Sequence, residues 1–218
     1  MKVRAPDLEG ELSVPATANG VVVFAHGSGS SRHSPRNRYV ANILNDGSLA
    51  TLLIDLLTAG EQEVDRPTGQ LRFDIPFLAN RLVAITQWLR EQPQAANLKI
   101  GYFGASTGAG AALVAAAELP RLIHAVVSRG GRPDLAGDAL HRVVAPTLAI
   151  VGGNDPKVLE LNREALARMN CVKVLHVIPG ASHLFEEPGA LEEVAKLAHA
   201  WFAEKLSRAA GRAEWRLP

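Results

Sequence analysis

Short apolar runs alternate along the chain with segments in which apolar residues recur every three to four positions. Residues 21–25 and 50–56 are apolar at nearly every position, which is typical of strands that are covered on both faces of a sheet. Residues 76–90 instead show helical spacing, with Asp74 placed to cap the helix. The alternation predicts an α/β fold in which a mostly parallel sheet carries helices on both faces.

The same pattern continues to the end of the chain. Further strands are predicted at residues 8–14, 98–103, 123–127, 146–151 and 172–178. Further helices are predicted at residues 39–45, 108–119, 134–142, 158–169 and 191–206. The polar stretch 57–73 is predicted to be a long loop. We therefore expect one α/β domain over residues 1–207, without a separate cap domain, and a charged tail at residues 208–218.

The composition narrows the classes of protein. The 218 residues are 47% hydrophobic and 21% charged, with a net charge of +1, so neither nucleic acid nor a membrane surface is expected as a partner. Cys171 is the only cysteine, which excludes an intrachain disulfide and a metal site built from cysteines. The first residues lack the apolar core of a signal peptide, and no apolar run approaches the roughly 20 residues of a membrane span. A cytoplasmic location is expected.

A turn at residues 104–108 is the strongest chemical signal in the sequence. Gly104 and Gly108 flank Ser106 between a predicted strand and a predicted helix. A serine on such a turn is held in a strained conformation that exposes its hydroxyl, and larger flanking side chains would collide. The first helical N–H groups, that of Thr107 among them, point at any negative charge that forms there. The pattern predicts a nucleophile, although a serine that merely packs a helix onto a sheet would look the same.

Three other predicted strands also end in polar residues, which are His26, Asp155 and His183. The carboxyl ends of parallel strands meet at one edge of a sheet, where ligands bind. A serine nucleophile needs a base within hydrogen-bond reach and an acid that orients the base. The order Ser106, Asp155, His183 is the one that the α/β-hydrolase fold uses.

Two of these assignments have alternatives. Asp155 is followed by Pro156 and is therefore also suited to cap a helix, a role that is compatible with orienting a histidine. His33 lies in the glycine-rich loop after the first buried strand and is the alternative base. The ring of His26 is expected to brace that loop more than to react.

Together these stretches resemble the dienelactone hydrolase-like branch of the α/β-hydrolase superfamily over residues 21–206. The stretches that carry the resemblance are HGSGSS at 26–31, GASTG at 104–108, GGND at 152–155 and GASHLFEEPG at 180–189. The resemblance implies that Ser106 is the nucleophile, that His183 is general base and then acid, and that Asp155 orients it.

The resemblance also implies an oxyanion hole made by the backbone N–H of Thr107 and that of Ser28 or Gly27. Dienelactone hydrolase itself uses a cysteine nucleophile, whereas this chain has Ser106 at that position, so the lactone substrate is not implied. The missing cap domain indicates an open and shallow site.

The resulting hypothesis is a serine hydrolase of small-molecule carboxylic esters or thioesters that needs no cofactor or metal. A non-catalytic binding module on the same fold, an acyltransferase and a peptidase remain alternatives. His26, Arg129, Leu184 and Phe185 are candidate substrate contacts. Arg129, like its neighbour Arg132, is equally open to interpretation as half of a structural ion pair. A homodimer is kept as a further hypothesis.

Overall fold

Eight strands form one sheet in the computed structural model, which describes residues 2–5 and 7–207. The strands in chain order are β1 (Lys2–Ala5), β2 (Leu8–Ser13), β3 (Gly20–Ala25), β4 (Ala50–Ile54), β5 (Lys99–Ala105), β6 (Ile123–Arg129), β7 (Thr147–Gly152) and β8 (Lys173–Ile178). Their order across the sheet is β1-β2-β4-β3-β5-β6-β7-β8. Strands β3 to β8 are parallel to one another, while β1 and β2 are antiparallel to their neighbours. The predicted fold class is confirmed.

Within the described part of the chain, six α-helices and one 3-10 helix connect or follow these strands. The helices are α1 (Pro35–Asp46), α2 (Ala59–Asp65), α3 (Ile75–Arg90), α4 (Thr107–Glu118), α5 (Pro156–Ala167) and α6 (Ala190–Leu206), and the 3-10 helix covers Pro133–Arg142. Helices α1 and α6 pack together on one face of the sheet, and α3, α4, α5 and the 3-10 helix pack on the other. The sheet is therefore covered on both faces.

Strand β3 shows why the apolar runs become buried strands. Val22 and Phe24 point into the apolar layer beneath α1 and α6, whereas Val21 and Val23 point into the opposite layer. All six residues of β3 are buried. Successive side chains of a strand alternate between the two faces of the sheet. In a strand that is buried on both faces, every position is therefore shielded from water and is occupied by an apolar residue.

The direction in which successive strands are added to the sheet reverses at β3, and this reversal determines where the candidate site lies. Chain order runs from β3 to β4 on one side of β3 and then to β5 on its other side. Ligands in open α/β sheets bind outside the carboxyl ends of the strands at such a switch point. The loop after β3 and the turn after β5 therefore face the same space.

The structure differs from the sequence predictions in three elements. Strand β1 was not predicted, and the predicted loop 57–73 contains helix α2, which Thr58 and Glu61 start with a reciprocal capping box. The helix predicted at 134–142 is of the 3-10 type, begins at Pro133, and has Gly137 at φ 52°. The predicted tail 208–218 lies outside the described residues. No helix within the described residues has the length and apolarity needed to cross a membrane.

Candidate active site

Ser106 occupies the strained turn that the sequence predicts. It lies between the end of β5 and the start of α4, with φ 49° and ψ −123°. A positive φ is uncommon for a residue with a side chain and persists only where the surrounding structure enforces it. Two backbone hydrogen bonds do so here, because the Ser106 N–H donates to the Arg129 carbonyl at 3.2 Å and the Ser106 carbonyl accepts from the Arg132 N–H at 3.0 Å.

Both flanking glycines are required by close packing. A Cβ atom on Gly108 would lie 2.2 Å from the Ala25 carbonyl oxygen, and one on Gly104 would lie 2.5 Å from the Ala109 Cα. Both obstructing atoms belong to the backbone and cannot swing aside. The expectation that these two positions must be small is therefore confirmed.

Asp155 and His183 come together at the ends of β7 and β8. The His183 Nδ1–H donates to Asp155 Oδ2 at 2.7 Å. The other carboxylate oxygen of Asp155 accepts from the Val158 N–H at 3.4 Å and so caps α5. Asp155 thus performs both roles that its sequence position permits. Its hydrogen bond fixes the imidazole tautomer that leaves Nε2 unprotonated when the ring is neutral.

His183 and Ser106 contact the same short segment, residues 129–132. The His183 Cε1 atom lies 3.6 Å from the position of a Cβ built on Gly130. Gly130 directly follows Arg129, whose carbonyl binds the Ser106 N–H. Within the described residues, however, no hydrogen bond joins the Ser106 hydroxyl to His183. Serine–histidine contacts are often long before substrate binds.

The two candidate donors after β3 differ in their hydrogen bonding. The Ser28 N–H donates to the Thr107 hydroxyl at 2.9 Å, so it is already engaged. The Gly27 N–H has no hydrogen-bond partner in the part of the chain that the structure describes. Gly27 also approaches Ser106 closely, since a Cβ on Gly27 would lie 3.0 Å from the Ser106 Cβ. The free donors beside Ser106 are therefore the N–H groups of Gly27 and Thr107.

His26 braces the loop, as the sequence suggests. Its Nδ1–H donates to the Gly27 carbonyl at 3.0 Å, and its Nε2 accepts from the Leu56 N–H at 3.1 Å. Burial lowers the pKa of His26 below its ordinary value, against the smaller raising effects of the Gly27 carbonyl and of Asp55. A neutral ring with both nitrogens engaged is unsuited to bind substrate through them, so the expected substrate contact of His26 is replaced by a structural role.

Phe185 and Arg129 lie deeper than expected for substrate contacts. Phe185 is 1% exposed and belongs to the apolar layer under α1 and α6, and the Arg129 guanidinium lies 5.9 Å from its ring centroid. Nε and Nη1 of Arg129 are buried without a hydrogen-bond partner, and burial together with the Arg36 charge lowers the pKa of Arg129 to about 10. Arg132 instead pairs with Asp134 through two hydrogen bonds.

Leu184 is 39% exposed, and it alone of the four expected substrate contacts keeps an exposed side chain at this edge. His33 is exposed and its ring has no hydrogen-bond partner within the described residues, whereas the His183 ring is hydrogen-bonded to Asp155. No group of three or more metal-ligating side chains occurs within the described residues. Gln62 and Arg72, which the sequence does not single out as site residues, line a cavity beside Gly27 and Ser28. Their position in a long polar segment between two strands was the available signal.

Comparison with known proteins agrees with this architecture. The sequence matches the Dienelactone hydrolase family over residues 9–207. A crystal structure of dienelactone hydrolase from Anabaena variabilis ATCC 29413 is 60% identical, covers 94% of this chain and 96% of its own, and superimposes with a TM-score of 0.92. Est1E from Butyrivibrio proteoclasticus covers 94% of this chain and 98% of its own at 16% identity with a TM-score of 0.77, which shows a shared fold.

Two curated relatives are longer than this chain. They are Mycobacterium tuberculosis proteins, from strains CDC 1551 and H37Rv, each named "Putative phosphoribosyl transferase". Each is 63% identical over 198 residues, which cover 90% of this chain but only 44% of the relative. The chain thus spans less than half of their length. The family match over nearly the whole chain, together with the Anabaena structure, shows that the chain belongs to the dienelactone hydrolase family.

Proposed function

We propose that the protein is a serine hydrolase of carboxylic esters or thioesters, with Ser106 as nucleophile, His183 as general base and then acid, and Asp155 as the residue that orients His183. The observation that carries the proposal is the 2.7 Å hydrogen bond between Asp155 and His183 at the sheet edge where Ser106 holds its strained turn. A merely structural serine would not require both flanking glycines and a positive φ.

The proposed reaction has two balanced steps. The Ser106 Oγ attacks the carbonyl carbon while His183 Nε2 accepts the hydroxyl proton, and the negative charge on the carbonyl oxygen meets the N–H groups of Gly27 and Thr107. His183 then gives that proton to the departing alcohol or thiol, which leaves an acyl group on Ser106. Water, deprotonated by His183, attacks this acyl group, releases the acid and restores the Ser106 hydroxyl.

The name of the mycobacterial relatives suggests a different activity. We attribute the phosphoribosyl transferase activity in that name to the part of those relatives that this chain does not span. The basis is that the shared segment covers 90% of this chain and that a hydrolase family matches residues 9–207, so the two matches overlap over most of the chain. Transfer of the acyl group to an acceptor other than water uses the same residues, so product analysis has to separate the two reactions.

A fluorophosphonate probe tests the nucleophile without knowledge of the substrate. We expect one covalent adduct by intact mass on the wild type and none on Ser106→Ala. Ser128→Ala is the matched control, because Ser128 lies in β6 opposite Gly104, is buried, and takes no part in the proposed mechanism. Equal labelling of wild type and Ser106→Ala would show that another residue reacts and would refute the assignment.

A further inference from the structure

A cavity of about 320 Å³ opens beside the oxyanion donors. Its walls include the loop 26–31 after β3, Leu57 after β4, and side chains of α2, and Gly27 in this wall lies next to Ser106. The cavity lies on the β3–β4 side of Ser106, whereas His183 lies on the β6–β8 side. The leaving group must face His183 to receive its proton, so the acyl group is the part of the substrate directed toward the cavity.

The charged groups in the cavity wall are Asp65, Arg66 and Arg72, and each is already part of an ion pair. Asp65 is 1% exposed and accepts from Arg72 Nε at 2.5 Å and from the Leu71 N–H at 2.6 Å. Burial acts to raise the pKa of Asp65, but the hydrogen bonds from Arg72 and Leu71 outweigh it and lower the pKa overall. Arg66, also in the wall, pairs with Glu63 at 2.9 Å. An anionic acyl group would therefore have to compete with Asp65 and Glu63 for the two arginines.

The remaining polar groups are neutral and can both donate and accept. The hydroxyls of Ser28 and Ser30 have no hydrogen-bond partner among residues 7–207. Gln62 donates Nε2 to the Leu57 carbonyl at 3.2 Å, which positions its amide and leaves Oε1 free. A hydroxyl group of a ligand satisfies such a mixed set of donors and acceptors, while an alkyl group leaves it unpaired.

The volume limits the size of the bound group. Water occupies about 30 Å³ per molecule, so the cavity holds roughly ten non-hydrogen atoms. Leu57 and Leu78 close part of the wall and are 8% and 4% exposed. Helix α2, which carries Gln62, is attached to α3 by an ion pair between Glu61 and Arg81. These contacts fix that part of the wall, and the volume of the cavity matches a short acyl group.

We propose that this cavity binds a short, uncharged, hydroxylated acyl group, so that the preferred substrates are esters of hydroxy acids with roughly ten or fewer non-hydrogen atoms in the acyl part. This inference rests on the proposed function, and it narrows the acyl class that the sequence left open. Gln62 is the specificity-determining side chain, since its amide is the one polar group of α2 in the wall that no ion pair occupies.

Three methyl esters test the acyl class. Methyl 2,3-dihydroxypropanoate carries two hydroxyls, methyl 2-methylbutanoate replaces both with methyl groups, and monomethyl succinate carries a carboxylate. Acid release is followed in a pH-stat. We expect kcat/KM of the wild type for the dihydroxy ester to exceed that for either other ester by about tenfold or more. Equal or faster cleavage of either other ester would overturn the proposal.

Gln62→Leu tests the residue. Gln62 is exposed on one side, so its replacement leaves the core intact. We expect the variant to lose about tenfold in kcat/KM for the dihydroxy ester and nothing for methyl 2-methylbutanoate. The matched control is Gln92→Leu, because Gln92 makes the same kind of bond, to the Trp88 carbonyl at 3.0 Å, outside the cavity. An equal loss for both esters would overturn the specificity role of Gln62.

A binding measurement separates this inference from the hydrolase proposal. Ligand-observed NMR with methyl 2,3-dihydroxypropanoate on Ser106→Ala reports occupancy without turnover. Binding that Gln62→Leu weakens supports the cavity even if the wild type cleaves no ester and takes no fluorophosphonate, an outcome that refutes only the proposed function. Labelling of Ser106 without any binding of the dihydroxy ester overturns the inference and leaves the proposed function in place.

Discussion

Replacement of Thr107 by valine isolates a hydrogen bond that links the two sides of the proposed oxyanion hole. The Thr107 hydroxyl accepts from the Ser28 N–H at 2.9 Å, and Thr107 is 6% exposed. Valine matches the shape of threonine but cannot accept this hydrogen bond. The backbone N–H of residue 107 itself stays in place, so the variant changes the position of the loop after β3 and leaves one donor untouched.

The expected magnitudes follow from what the hydrogen bond holds. A partly buried N–H without a partner costs about 1–3 kcal/mol, which is the expected loss in the free energy of unfolding. Complete removal of an oxyanion donor costs about 10²- to 10³-fold in kcat. Because Gly27 keeps its N–H and only loses its alignment, we expect a smaller decrease in kcat of roughly 10- to 100-fold, with KM changed by less than about threefold.

The assay is steady-state hydrolysis of 4-nitrophenyl acetate, with urea unfolding measured on the same samples. Thr107→Ser is the control, since serine keeps the hydroxyl, and it should retain kcat within about threefold of the wild type. Thr107→Val with the kcat of the wild type would refute the argument, because the Ser28 N–H would then be free without consequence. A loss shared equally by Thr107→Ser would point to the lost methyl group.

Three further substitutions test individual roles of residues in or beside the candidate site. Asp155→Asn should lower kcat by about 10⁴-fold, because asparagine does not stabilise the charged His183 ring. The urea midpoint of the variant should equal that of the wild type, since asparagine caps helices as well as aspartate does. His26→Gln should lose less stability than the wild type between pH 7.5 and 5. The pKa of His26 is lowered in the folded state, so unfolding of the wild type takes up a proton as the pH falls below about 6.5. If the ring titrated normally in the folded state, the urea midpoints of the two proteins would change equally across this range. Gly108→Ala should fail to fold or lose more than about 3 kcal/mol by urea unfolding, whereas Gly60→Ala, with no atom within 4 Å of its added Cβ, should be neutral or stabilising; similar midpoints for the two would contradict the packing argument.

The sequence was sufficient for the strands that are buried on both faces. A continuous apolar run such as residues 21–25 has few alternatives in a chain of this length, and its glycine-rich continuation fixes the carboxyl end. Helix α3 was equally clear because its apolar spacing, the cap at Asp74 and the end at Arg90 all agree. Strand β1 and helix α2 were missed because neither has an apolar periodicity of its own. They form through pairing with β2 and through a capping box.

The arginines at the end of β6 show what sequence cannot supply. Arg129 and Arg132 are three positions apart and looked equivalent, but a strand and a turn direct them to different surroundings. Arg132 meets Asp134, which is two residues along the chain and visible in the sequence. Arg129 points into the layer of Phe185, a contact between distant segments that no local pattern encodes. Phe185, which was expected to contact substrate, is buried in the same layer through contacts between distant segments, and its φ is 57°.

The order of the strands explains why the N–H donors and the histidine of the proposed reaction lie on opposite sides of the nucleophile. Strand β3 lies next to β5, so the loop that carries Gly27 meets the turn that carries Ser106, and the N–H donors converge from both. Strands β7 and β8 lie beyond β6, so Asp155 and His183 approach from the other side of the nucleophile. A carbonyl held between them has its oxygen toward β3 and its leaving group toward β8. In the proposed reaction the remaining substituent extends past the loop after β3, and we therefore propose that the walls of that cavity, and not the catalytic side chains, select the substrate.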